Sequence, residues 1–262
     1  MACLIYSVDQ VTSTNIADAL KRIMGFEEAD PVEGMKSFRS GGTLMIEARG
    51  SIVETGFVDR CASKDVAVLL SMHSSARGVE VFTVHPEGNW GDDANLGGKP
   101  KMLSTASPAN MLSMLKAISK KSGGLQATYE ATHHGPLLDT PSFFVEVGGS
   151  ERAVNSKELA GVLAGAIADF LGGGKAEYGK VAIGIGGTHY PGKFTRLALE
   201  GRYAFAHMMP KYSIHGDMLR QAIERSDVQV EKAVIEWKSL NAGQRNEIVQ
   251  KLEETGIDYE KV

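Results

Sequence analysis

Cys3-Leu4-Ile5-Tyr6-Ser7-Val8, closed by Asp9-Gln10, is a short apolar run without polar alternation, and it reads as a strand buried on both faces. The period then changes. Ile16, Leu20, Ile23 and Met24 recur at helical spacing, Thr12 or Ser13 can supply the capping hydroxyl, and Gly25 supplies a left-handed stop. A buried strand followed at once by an amphipathic helix is the βα unit of an α/β protein, and the alternation continues down the chain.

Further strands are expected over residues 66–70, 79–84, 125–132, 142–147, 181–187, 203–207 and 233–237. Phe38 and residues 43–48, separated by Ser40-Gly41-Gly42, form a hairpin or two short strands. Ser107-Pro108 opens a helix whose apolar face is Met111, Leu112, Leu115 and Ile118, and Gly123-Gly124 ends it. Its Lys116, Lys120 and Lys121 read as a solvated face. Ser156 caps a helix over residues 157–171 that is apolar nearly all round and so should be sandwiched, and two more helices are expected over 216–225 and 244–254. The expected fold is a three-layer α/β/α sandwich around a mixed, largely parallel sheet, built as one α/β domain over residues 1–262. Residues 86–105 are glycine-rich and too long for a simple connector, which makes them a functional loop or a small subdomain.

Composition narrows the class. A formal net charge of -4 over 262 residues argues against coating of DNA or other nucleic acid by bulk charge, while an RNA substrate held by a local patch stays open. Cys3 and Cys61 are the two cysteines and show no Cys-x-x-Cys spacing, so neither a disulfide framework nor a cysteine zinc site is indicated. The start lacks the basic segment and cleavage site of a signal peptide, and no apolar run approaches membrane length. A cytoplasmic protein with no membrane partner is expected, and its oligomeric state is left open.

The histidines carry the functional signal. His73, His85, His133, His134, His189 and His207 each follow an expected strand, with His215 the exception. If the strands are parallel neighbours, their carboxyl ends share one rim, and the imidazoles can converge there for metal or acid–base chemistry. In Glu130-Ala131-Thr132-His133-His134-Gly135-Pro136 one histidine can bind a metal while the other acts as acid or base, although an ordinary hydrogen-bonded loop has the same appearance. Gly184-Ile185-Gly186-Gly187-Thr188-His189 lacks the Rossmann spacing and the P-loop Lys-Ser/Thr pair, but the Gly186 and Gly187 backbone N–H groups could receive an oxyanion. Glu146 sits in an apolar strand and needs a partner, whether metal, His or Arg. Asp92 and Asp93 are oxygen donors or simple turn formers, and Trp90 either stacks on a base or packs its loop. Lys193 and Arg196 are candidate phosphate contacts, ahead of Lys99 and Lys101.

Four blocks, in order and over nearly the whole chain, resemble the archaeal and plant type of D-aminoacyl-tRNA deacylase: Gly-Asn-Trp with the later Leu-Gly-Gly (88–98), Glu-Ala-Thr-His-His-Gly-Pro (130–136), Phe-Phe-Val-Glu-Val-Gly (143–148) and Gly-Ile-Gly-Gly-Thr-His-Tyr (184–190). The resemblance implies a zinc-dependent hydrolase that cleaves the ester between a D-amino acid and tRNA, on an α/β fold related to phosphorylases and peptidyl-tRNA hydrolase. On that basis zinc would be held by residues among His73, His133, His189 and Glu146 and would activate water near neutral pH. Gly186 and Gly187 would steady the oxyanion, and His134 would protonate the departing ribose oxygen. Trp90, Lys193 and Arg196 would contact the tRNA. Two other readings remain: a zinc amidohydrolase or carboxypeptidase-like peptidase, using the same ligands on amides, and a non-catalytic RNA-binding module with structural histidines.

Overall fold

Six consecutive buried residues form the first strand, β1 (Ala2–Ser7), as an apolar run without alternation requires. The computed structural model describes residues 2–62, 66–74 and 78–262. After β1 come α1 (Val11–Met24), β2 (Glu27–Val32), β3 (Met35–Ser40), β4 (Thr43–Ala48), the short α2 (Val58–Cys61), β5 (Val66–Ser74) and β6 (Val81–His85). The chain continues through β7 (Gly88–Asn89), β8 (Met102–Leu103), α3 (Pro108–Lys121), β9 (Gln126–Tyr129), β10 (Ser142–Gly149), α4 (Glu151–Val154) and α5 (Lys157–Leu171). The last part holds β11 (Lys180–Ile185), α6 (Gly192–Leu199), β12 (Tyr203–Met209), α7 (Leu219–Glu224), β13 (Lys232–Ile235), α8 (Ala242–Thr255) and β14 (Tyr259–Lys261).

The strands divide into a mixed eight-stranded sheet, β2-β3-β4-β1-β5-β10-β6-β9, and a parallel four-stranded sheet, β12-β11-β13-β14, with β7 and β8 pairing on their own. In the large sheet β4, β1, β5 and β10 are parallel, as an α/β reading predicts. Helices α1, α3 and α5 pack together on one face of it, and α5 lies between the other two, as its apolar circumference requires. The opposite face is covered by α2 and the turn at Ile52–Glu54 over Cys3, Ile5, Ile46, Leu69 and Phe144. Helix α3 also touches β12, so the larger apolar core runs from the first sheet into the second.

Several details differ from the sequence reading. Neither Thr12 nor Ser13 caps α1. Both lie inside the helix, where Ser13 accepts from Ser7 N at 2.9 Å and donates to Leu70 O, while Thr12 donates to Val154 O. Ser107 likewise leaves the α3 backbone uncapped: its hydroxyl donates to Asp227 and accepts from the Asn110 side chain at 2.9 Å. Tertiary partners outbid local capping in each case because the hydroxyls are buried and a buried donor must be satisfied. The antiparallel edge strand β2 escaped the pattern: its charged and proline-containing sequence, EEADPV, reads as loop, and among the described residues it pairs with β3 alone. Residues 216–225 begin as a 3-10 turn at Gly216–Met218 before α7, and α8 starts at Ala242, where Asn241 and Gln244 make a capping box.

The two sheets are stitched by residues 130–132. Glu130 N continues the β9 ladder to Val84 O at 3.1 Å, then Ala131 N donates to His189 O at 2.8 Å and Thr132 N to Met208 O at 2.9 Å. His207, inside β12 rather than after it, completes the seam. Its Nε2 meets the carbonyls of Ser104 (3.1 Å) and Arg225 (3.0 Å), and its Nδ1 meets the Thr132 hydroxyl at 3.2 Å. Carbonyls only accept, so Nε2 carries the hydrogen and Nδ1 the lone pair. Burial holds this ring neutral, with its pKa down at about 4.

The unfolded chain therefore binds this proton first as pH falls, because the free ring titrates at 6.5. The stability contributed by His207 is complete above about pH 6.5 and is lost as pH descends toward 4. Urea unfolding at pH 7 and pH 5 is expected to show the wild type losing about 2 kcal/mol more than His207→Asn over that interval. Equal losses in the two proteins would remove His207 from the account.

Candidate functional site: a buried carboxylate ringed by imidazoles

The convergence of histidines is real, but a shared carboxyl rim does not produce it. Strand β6 runs antiparallel to β10, and β9 parallel to β6, so the ends of these strands point away from those of β5 and β10. The period of two does the work instead. Ser71 and His73 on β5, Glu146 on β10, and Thr83 and His85 on β6 all project to one face, with Glu146 registered against both Ser71 and Thr83. Residues 130–134 and His189, drawn together by the seam between the sheets, close over that face.

At the centre lies Glu130, fully buried. Its Oε2 is 3.1 Å from His189 Nε2, 3.3 Å from His73 Nδ1 and 3.4 Å from His133 Nε2. The His189 and His133 side chains keep 30% and 26% of their surface exposed, so the centre is approached from the imidazole side. Behind it, Glu146 Oε2 faces His85 Nε2 at 3.7 Å and His73 Nδ1 at 3.9 Å. Burial opposes charge on both members of the Glu146–His85 pair, yet mutual attraction wins: the carboxyl is held down at about 2 and the imidazole lifted to about 9. His85, stacked on Phe144 with ring centroids 5.0 Å apart, is thus a fixed cation under the site.

That cation shapes its neighbours. Burial, then the nearby His85 and His134, pushes His133 well below the ordinary imidazole value, and burial with His85 brings His134 down to about 4. His133 Nδ1 lies 2.8 Å from the Ala131 carbonyl, so Nδ1 carries the hydrogen and a bare Nε2 lone pair faces the Glu130 carboxylate. Two electron pairs opposed at 3.4 Å in a buried site repel unless a cation stands between them. An imidazole tethered by Nδ1–H to a carbonyl while Nε2 points inward is the arrangement found around metal-ligating histidines. Donor atoms of His73, Glu130, His133 and His189 all lie within 4.8 Å of one another, and nitrogen with one carboxylate oxygen is a donor set suited to zinc. Among the described residues, neither Glu130 oxygen accepts a hydrogen bond of good geometry. The residues fit a metal.

The sequence-predicted residues fall into three groups. His73, His133 and His189 come together, and His134 stands beside them with its ring 4.3 Å from His133. Glu146, which the sequence reading placed among the ligands, stands in the second tier, and Glu130 holds the central position instead. Glu130 and His85 were the residues that pattern reading undervalued. The signal for the first was its spacing three residues ahead of His133, and for the second its place after a buried strand. Gly186 and Gly187 do not offer free donors: Gly186 N donates to Met209 O at 2.8 Å and Gly187 N to the Ser239 hydroxyl at 2.8 Å. Their φ values of 100° and 78° and the close approach of Ser239 and Glu236 explain the glycines, not an oxyanion. Trp90 is largely buried, donates its indole N–H to Thr132 O at 3.0 Å, and lines the cavity beside His133 and His134. Arg196 is exposed on α6 and pairs with Glu200 at 3.0 Å, and Lys193 is in the first turn of the same helix. Lys101 pairs with Asp92 at 3.7 Å, and Asp93 accepts from Asn95 N at 2.9 Å as a turn former.

The loop over 86–103 is fixed by backbone contact. A Cβ on Gly135 would lie 2.2 Å from Gly98 N, and one on Gly97 would lie 2.2 Å from Val53 O. Main chain rests on main chain, which sets the height of His133 and His134 above the sheet.

This is an α/β protein with a buried imidazole–carboxylate centre whose donor atoms could hold a metal ion. The model of the D-aminoacyl-tRNA deacylase family matches residues 61–260, and the chain belongs to that family. Similar proteins include the D-aminoacyl-tRNA deacylase of Pyrococcus horikoshii, 34% identical over 264 residues and 95% of each chain. That of Ignicoccus hospitalis is 40% identical over 198 residues, 74% of this chain and 80% of the relative. A crystallised conserved protein of unknown function superposes with a TM-score of 0.90 at 30% identity, covering 100% of this chain and 95% of its own.

Replacing Glu130 by Gln keeps the shape and removes the central charge. Zinc retained by Glu130→Gln after dialysis, read by elemental analysis, is expected to fall at least tenfold, whereas Arg196→Ala should match the wild type. Undiminished zinc in Glu130→Gln would displace the centre from these residues.

Proposed function

We propose that this protein hydrolyses the ester joining a D-amino acid to the terminal ribose of tRNA, using a zinc ion held by His73, Glu130, His133 and His189. The observation that carries the reading is the buried carboxylate facing three imidazole nitrogens, one of them a lone pair by its tautomer, in a chain of the D-aminoacyl-tRNA deacylase family. Zinc bound there supplies a Lewis acid able to activate water near neutral pH and to polarise the ester carbonyl.

The protein's own groups do the rest. His134 Nδ1 lies 2.6 Å from the Gly135 carbonyl, so its hydrogen is on Nδ1 and Nε2 is an acceptor. It therefore starts as a base: it takes the proton of the attacking water and then delivers that proton to the departing ribose oxygen. Burial keeps His133 and His134 neutral, and the charge on His85, held beneath them by Glu146, adds to it. Ala131 O and the Tyr212 hydroxyl, 3.2 Å from His189 Nδ1, hold the ligand rings in orientation. A tRNA substrate is in keeping with a cytoplasmic compartment. No helix among the described residues is long and apolar enough to cross a membrane.

Purified protein incubated with D-tyrosyl-tRNA and L-tyrosyl-tRNA should hydrolyse the D-ester selectively, lose that activity to a chelator and regain it with zinc. His134→Gln should keep its zinc and lower kcat by about 10²–10⁴. Metal-loaded protein that spares both esters would redirect the assignment to amide substrates.

A further inference from the structure

One cavity of about 380 Å³ adjoins the centre directly, sharing His133 and His134 as walls. Its volume is in the range of about 300–1,000 Å³ where small-molecule sites fall. Trp90, Leu96, Pro210 and Tyr212 give it apolar walls, and Asp92 and Asp93 stand in its lining on the 86–103 loop. Among the described residues no Lys or Arg lines it, although Lys101 reaches Asp92 from outside at 3.7 Å. Gly91 and His215 close another side, where a Cβ on Gly91 would come within 3.2 Å of His215 Nε2.

An aminoacyl ester offers two halves to such a cavity. The terminal nucleotide brings phosphodiester charge, which would meet Asp93 and an Asp92 already paired with Lys101, with no Lys or Arg among the described lining residues. The aminoacyl half brings an α-ammonium and a side chain, which match the carboxylates and the apolar walls respectively. We infer that this cavity receives the aminoacyl half of the substrate, with the scissile carbonyl at the His133–His134 wall, and that it favours large aromatic or aliphatic side chains. The inference rests on the deacylase reading above and adds to it the identity of the pocket and the class of amino acid. The segment 88–98 then has a function: its glycines let the loop lie on the Gly135 backbone and bring Trp90, Asp92 and Leu96 around the cavity.

The test is to fill the cavity without touching the centre. Gly91→Val narrows the wall by His215, and Leu96→Trp adds bulk from a side chain that is 65% exposed, so it bears little on folding. The ratio of kcat/KM for D-tyrosyl-tRNA to that for D-alanyl-tRNA is expected to fall at least tenfold in each, in line with the discrimination of about 10–200-fold that apolar pockets provide. If both esters slow in parallel, the cavity serves the terminal nucleotide common to them and the inference is overturned. If the ratio of Leu96→Trp is unmoved while the wild type turns over both esters, the pocket assignment falls and the deacylase activity stands. A wild type inactive on both esters overturns the activity and the pocket with it.

Discussion

A carboxylate without a proton or a cation is among the most expensive groups to bury, and Glu130 is buried completely. Its environment follows from that cost. Three imidazole nitrogens face one of its oxygens, a protonated His85 lies beneath, and Glu146 is consumed in neutralising His85. Remove Glu130 and the rings lose the charge that gathers them. Retain it without a cation and the His133 lone pair opposes it.

The second dependence is geometric. Glu130 belongs to the last ladder rung of the large sheet, whereas His189 belongs to the turn after β11 of the smaller one. They meet because residues 130–132 hydrogen-bond successively to Val84, His189 and Met208, and because His207 locks Thr132 to the carbonyls of Ser104 and Arg225. The centre is therefore a property of the seam, and the 86–103 loop is laid over it at a height that only backbone-on-backbone contact at Gly97, Gly98 and Gly135 permits. Stability and site geometry share the same bonds here.

Much of this was legible in the chain. The βα opening, the parallel heart of the large sheet, the sandwiched α5 with its Ser156 cap, and the gathering of His73, His133 and His189 follow from period, turn residues and motif order. Less visible were the elements whose sequence argues against their conformation, such as β2, and the caps displaced by tertiary partners, such as Ser13 and Ser107. The glycines at 186 and 187 were read as donors because sequence shows a flexible N–H and hides who has already claimed it.

The sequence by itself determined which residues can do the chemistry and which face each strand shows, because periodicity and side-chain type are local properties. Tertiary structure alone decided that β6 turns antiparallel to β10, that a second sheet forms, that Glu130 rather than Glu146 stands at the centre, and that a cavity opens beside His133 and His134. Those outcomes depend on contacts between residues tens of positions apart, and on which buried polar groups satisfy one another, and neither leaves a pattern in a single stretch of chain.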